Sequence, residues 1–272
     1  MTIYLILFCA GLLGGFLAGL LGIGGGLIYI FALTSLFTYL DISPLLFPEL
    51  TVANSIFAVF FASGAATITL IRNKEFYLKE VLFVTVGSIL ASILALKYLV
   101  LTSWYSVELF NVIIIFLLLY MLYRVFSQIL GQTKKGGGET IMEYKKGSLL
   151  FAGVSGGLIA ALSGLGGGVV IVPILHTYLK LDMKKTRSIS LGVILITSFF
   201  MTAYNSLQTI SLEVAHVGLL IPSYTIFIVL GVLLASPFGV KVGSSWSSKK
   251  ISIIYSVFLT LFLLKKITEI FW

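Results

Sequence analysis

The 272-residue chain is 59% hydrophobic and only 10% charged, with a mean hydropathy of +1.12. A soluble domain averages about 45–50% apolar and about 25% charged residues, so a water-soluble globular domain is excluded. So is an outer-membrane barrel, whose strands alternate polar and apolar residues. The net charge of +8 does not indicate nucleic acid, because the basic residues sit in short stretches between apolar runs, where membrane topology places them.

The predicted elements are helices throughout. Segment A spans 3–21 and ends at a glycine run; B follows over about 26–40 and stops at Asp41-Ile42-Ser43-Pro44. C covers about 48–71, D about 78–100 and E about 107–129. A polar, Gly-rich linker, 131–146, comes next. The second half repeats the series, with A′ at about 147–164, B′ at 168–179, C′ at 187–207, D′ at 215–240 and E′ at 251–270. The amino terminus, MTIYLILFCAGLLGG, lacks a basic n-region and reads as the first membrane segment, not a cleaved signal. Cys9 lies inside that segment and has no intrachain partner, and two histidines without a cysteine cluster carry no zinc or haem signature.

The halves are related in detail. GGFLAGLLGIGGGLIYIFAL starts at Gly14 and GGLIAALSGLGGGVVIVPIL at Gly156, an offset of 142. Ser55 and Ser63 match Ser190 and Ser198 at an offset of 135. GSILASI from Gly87 resembles GVLLASP from Gly231, and Ser103-Trp104 matches Ser245-Trp246. Four landmarks in one order indicate an internal duplication: a first repeat over 1–130 and a second over 147–272.

Lys and Arg then orient the chain. The B–C loop carries none, whereas C–D carries Arg72, Lys74 and Lys79. B′–C′ carries Lys180, Lys184, Lys185 and Arg187, D′–E′ carries Lys241, Lys249 and Lys250, and C′–D′ none. By the positive-inside rule, equivalent loops of the two halves lie on opposite sides. The expected fold is an all-α polytopic membrane protein of two inverted-topology repeats. Each repeat is a Gly-broken helical hairpin plus three transmembrane helices, eight to ten membrane segments in all. B′ is too short to cross about 30 Å of hydrocarbon, so each broken pair is expected to return to its own side, with two full crossings as the alternative.

A glycine run inside an apolar stretch costs roughly 1 kcal/mol per residue in a helix interior. Non-helical backbone at that depth persists only where it is buried in protein or lines a cavity. The helix that begins after each run offers unpaired N–H groups and a positive dipole end, an anion site without a buried lysine. The candidate substrate-binding set is therefore Gly24, Gly25 and Gly26 with Gly166, Gly167 and Gly168. Asn54 and Ser55 on C, Ser190 and Thr197 on C′, and Ser163, which replaces Leu21 at the second tip, are the candidate hydrogen-bond donors. Replacing Gly25 or Gly167 by Val is expected to abolish transport without loss of expression. The plain alternative for the glycines is tight helix packing, and for the hydroxyls interhelical hydrogen bonding. Lys97 and Lys241 read as snorkelling residues, and His176 as an interfacial residue or a proton carrier. No acidic residue lies mid-segment, which disfavours a carboxylate-based cation site. No catalytic set, metal ligands or cofactor motif converges: GIGGGL lacks the GK[ST] ending of a phosphate loop.

The paired glycine motifs, about 140 residues apart, resemble those of the sulfite exporter TauE/SafE family, over residues 5–271. The resemblance implies a carrier of sulfur-containing anions such as sulfite, sulfoacetate and other organosulfonates, in a bacterial inner membrane. The expected partners are a small anion and the lipid bilayer; a coupling ion (proton or sodium) and a homodimer are further candidates, and nucleic acid is excluded. The other readings are an anion channel and a non-transporting membrane scaffold. The family pattern places a proline after each glycine run. Pro173 meets it in the second half, but Phe31 stands in the first, so the two tips are expected to be unequal.

Overall fold

A computed structural model describes residues 2–43, 46–102, 104–129, 146–246 and 248–271. Among these residues there is no strand, only an isolated bridge between Val217 and Leu220. The first half supplies α1 (Thr2–Leu21), α2 (Gly26–Tyr39), α3 (Phe47–Arg72), α4 (Leu78–Ala95) and α5 (Val107–Ile129). The second half supplies α6 (Lys146–Ser163), α7 (Gly168–Pro173), α8 (Met183–Ser206), α9 (Pro222–Ser245) and α10 (Ser248–Phe271). π-helical turns extend α4 through Leu96–Val100 and α7 through Ile174–Tyr178. Among the described residues, seven helices are long and apolar enough to cross a membrane, and two shorter apolar helices follow the glycine tips. The protein is an all-α polytopic membrane protein. The linker expected at 131–146 lies outside the described residues except for Lys146, which opens α6.

Helix contacts repeat across the halves. α1 packs along α9 and α6 along α4, in both cases running parallel. These two seams are made by small residues. A Cβ on Gly11, Gly15 or Gly19 would strike backbone of Ile228, Val232 or Ser236, at 2.1, 2.8 and 2.2 Å. In the other seam a Cβ on Gly153 or Gly157 would strike the carbonyl oxygens of Val84 and Ser88, at 1.9 and 2.2 Å. Such spacing lets helix backbones touch where lipid provides no hydrophobic driving force. α3 and α8 are the most buried spans and cross antiparallel at the centre, Phe60 meeting Phe199 at 5.8 Å between ring centroids. α5 and α10 pair at the periphery, and α10 reaches α2 through the stacked rings of Phe31 and Phe262. Exchanging α1–α5 with α6–α10 turns the α1–α9 seam into the α6–α4 seam and maps the α3–α8 and α5–α10 pairs onto themselves.

Two helices are displaced by four residues or more from the sequence reading. Helix C′ starts at Met183, not at 187, because Asp182 caps it: its carboxylate accepts from the amides of Lys184 and Lys185 at 3.0 and 3.4 Å. Arg187 therefore belongs to the helix and not to a basic loop. Helix D′ covers Pro222–Ser245 in place of 215–240. Pro222 takes a first-turn position, where its missing N–H costs nothing. The stretch before it is tied to the end of α8 by Leu219 N donating to Asn205 O.

Paired glycine tips as the candidate functional site

Each broken pair turns through four residues, Gly22 to Gly25 and Gly164 to Gly167. Gly22, Gly24 and Gly25 have φ of 77°, 87° and 73°; Gly164, Gly166 and Gly167 have 72°, 91° and 76°. This left-handed backbone costs an L-residue about 1–2 kcal/mol and glycine little. The motif is thus set first by backbone shape, and its repetition at matched positions makes the two turns alike. Gly25 and Gly167 are the N-caps of α2 and α7, which point their amino ends at the turns.

The two tips meet. A Cβ on Gly26 would come within 2.7 Å of Gly164 O and Leu165 Cα. One on Gly168 would come within 2.6 Å of Ile23 Cα and 2.8 Å of Gly22 O. Val59 and Ile194, at the midpoints of α3 and α8, each face both Gly24 and Gly166. The tips therefore pass each other halfway along the central helices. Each is then fastened by the opposite half: Ser55 donates to Gly164 O at 2.8 Å, and Ser190 to Gly22 O at 2.7 Å. Ser55 also reaches Gly26 O at 3.4 Å.

The structure brings Gly24, Gly25, Gly26, Ser55, Ser163, Gly166, Gly167, Gly168 and Ser190 together. Ser163 closes its own turn, donating to Ile159 O at 2.6 Å and accepting from Leu165 N at 3.2 Å. Asn54 and Thr197 are engaged elsewhere. Asn54 donates to Leu50 O and Leu219 O and accepts from Ile221 N, all at 2.8–2.9 Å, which pins the entry to α9. Thr197 donates to Ser88 Oγ at 2.9 Å between α8 and α4. His176 Nδ1 lies 2.8 Å from Leu181 O and ties the end of the π turn to the next loop. Lys97 and Lys241 lie exposed over the rings of Tyr98 and Phe238.

Val replacement of Gly25 or Gly167 takes on a different meaning here. A Cβ at Gly25 would stand 2.2 Å from Gly14 O, and one at Gly167 would stand 2.4 Å from Gly156 O. The collision is with the hairpin's own first arm, so the lesion falls on folding and intact expression is not expected.

The tips are unequal, as the proline asymmetry suggested. α2 runs 14 residues without interruption, whereas α7 reaches Pro173 after six and continues as a π turn. Two side chains that the sequence reading passed over also flank the first tip. Arg187 lies against Gly22, and Tyr29 fills the space beside Gly14 and Gly25. Asp182 was the available signal for Arg187, since a capping residue there places the arginine inside α8.

A multi-pass helical bundle whose two halves meet at glycine turns defines a class, the polytopic α-helical membrane proteins. The family model described as Sulfite exporter TauE/SafE matches residues 7–265, and the chain belongs to that family. It is 27% identical over 252 residues to Probable membrane transporter protein MJ0441 of Methanocaldococcus jannaschii, covering 92% of this chain and 90% of that one. It is 22% identical over 269 residues to Probable membrane transporter protein YunE of Bacillus subtilis, covering 95% of each. No solved structure matches the chain at a significant level.

Proposed function

We propose that the protein is a secondary carrier, not an enzyme, for small sulfur-containing anions: sulfite, sulfoacetate or other organosulfonates. It works by alternating access between two inverted repeats. The reciprocal pair of bonds, Ser55 to Gly164 O and Ser190 to Gly22 O, carries this reading. Each half holds the other's glycine turn, so a shift of one half against the other changes both turns together. With the tips in contact the path is shut. When they part, the first-turn amides of α2 or α7 become available to an anion near the middle of the bundle, and the helix dipole favours its charge.

The charge distribution supports repeat inversion. Arg72 and Lys74 sit at the end of α3, and Lys184 and Lys185 at the start of α8, on the same end of this antiparallel pair. Ser188 on α8 donates to Glu75 O at 2.6 Å, which joins those two loops. That end is assigned to the cytoplasm.

Counterflow in proteoliposomes tests the carrier. Vesicles preloaded with unlabelled sulfite should accumulate labelled sulfite transiently and saturably. An unsaturable flux that shows no counterflow would identify an anion channel, and absence of any anion flux would leave the scaffold reading.

A further inference from the structure

We propose that Arg124 and Lys265 are the latches of two gates, one at each mouth of the carrier. This rests on the reading of the chain as a carrier that works by alternating access. Arg124 on α5 donates from Nη2 to Thr177 Oγ1 at 2.6 Å. Lys265 on α10 donates from Nζ to Ser35 Oγ at 2.9 Å, and its ammonium lies 5.5 Å from the centre of the Phe31 ring. Ser35 stands on α2 and Thr177 in the π turn that extends α7. Each acceptor is thus on the second arm of a broken hairpin, beyond its glycine tip. In each case the cation comes from the last helix of the other half.

The two bonds are counterparts. Ser35 and Thr177 stand 142 residues apart, the offset of the glycine motifs. Arg124 and Lys265 stand 141 apart, and Lys266, which completes the offset, is buried beside the ring of Phe110. Inversion puts the bonds at opposite ends of the bundle. Thr177 precedes the loop that carries Lys180 and is assigned to the cytoplasm, whereas Ser35 precedes the B–C loop, which has no Lys or Arg. The pairing accounts for a departure from the charge pattern. Lys265 and Lys266 lie a whole helix away from Lys249 and Lys250, at the end where the positive-inside rule disfavours them.

These contacts are built to open. The glycine seams set backbone against backbone and have no room to give. The latches join a hydroxyl to the polar end of a long, flexible stem, and such a bond exchanges for water at small net cost. Arg124 Nε is buried without a partner, so the closed latch carries an unmet donor that opening returns to water. Within its own half, α2 packs on α1 and α3, and α7 on α6 and α8. Ser190 and Ser55 hold the tips to the other half near the middle of the bundle, and the latches hold the far ends of the arms. Breaking the Arg124 latch frees the end of α7 from α5 and opens the cytoplasmic mouth. Breaking the Lys265 latch frees the end of α2 from α10 and opens the outer one.

The test is sulfite counterflow by the full chain in proteoliposomes, with half-saturation measured from each side. Releasing one latch populates the state open on that side, which raises apparent affinity there and lowers it on the other. Thr177→Val should lower the half-saturating concentration on the cytoplasmic side relative to the outer side, by about tenfold. Ser35→Ala, at the more exposed bond, should move the same ratio the opposite way, by about threefold. The double variant should return toward the wild-type ratio, and Lys97→Gln, an exposed cation at neither latch, should leave it unchanged. A second measurement ties the latch shut. In a Cys9→Ser background, Arg124→Cys with Thr177→Cys, joined by a short reducible bis-thiosulfonate reagent, should stop counterflow until the link is reduced. Ser35→Cys with Lys265→Cys should behave alike; where the reagent fails to join a pair, the sided ratio decides. A ratio left unmoved, a ratio moved the same way by both hydroxyl variants, or full counterflow by cross-linked protein would overturn the latches and leave the carrier intact. Wild-type vesicles without saturable counterflow would overturn the carrier, and the latches with it.

Discussion

At the residue scale, Ser55 and Ser190 do matched work across the crossing. Converting either to Ala leaves a buried carbonyl of the opposite tip without its donor, at a cost of about 1–3 kcal/mol. Both single variants should melt below wild type in a detergent thermal scan, and by similar amounts; wild-type melting for either would show that the bond does not secure the tip. Gly25→Val and Gly167→Val should instead yield little folded protein by size-exclusion chromatography, because the new Cβ meets hairpin backbone at 2.2–2.4 Å. A monodisperse Gly25→Val protein would contradict that assignment. The glycines were legible in the sequence because their cost is high and is paid twice. The hydroxyl residues were only partly legible. A serine beside a tip and an asparagine holding a loop look alike in one dimension, and Asn54 proved to fix Leu219 and Ile221. Tyr29 was hidden for a similar reason: within GLIYIFAL it reads as one more apolar position.

At the element scale, apolar periodicity and glycine punctuation placed most helices to within a residue or two of their observed ends. The failures came where polar residues begin a helix. Lys184, Lys185 and Arg187 looked like loop because charge marks topology, yet Asp182 starts α8 ahead of them. Pro222 was the stronger start signal for α9 than the apolar residues before it. Asp182→Ala removes the cap, which typically costs about 1 kcal/mol, and should loosen the turn that carries Arg187. Amide exchange across residues 183–187 should rise, while exchange in the middle of α8 stays unchanged. An unchanged first turn would mean that the cap is not what holds it. The four-residue turns keep α2 and α7 short, about 21 and 17 Å of helix at about 1.5 Å per residue. Each broken pair therefore fits as a hairpin inside the bundle.

At the scale of the whole molecule, the two halves meet at their glycine turns, where the proposed path lies. The linker and the substrate are beyond what hydropathy and spacing specify. The duplication is read from four landmarks in the sequence, and the matched α1–α9 and α6–α4 seams accord with it. Inversion makes a labelling prediction. In a Cys9→Ser background, single cysteines at Lys74 and Lys180 should react with a membrane-impermeant thiol reagent only from the cytoplasmic side. Cysteines at Asp41 and Gln208 should react only from the opposite side. Labelling of equivalent loops from the same side would rule out inverted repeats.

Whether the tips part to hold an anion between them is read from a structure determined with sulfite or a small sulfonate bound. Anion density should lie against the amides that begin α2 or α7, with the contact between Gly26 and Gly164 opened. Anion bound away from both tips, with Gly26 and Gly164 still touching, would contradict it.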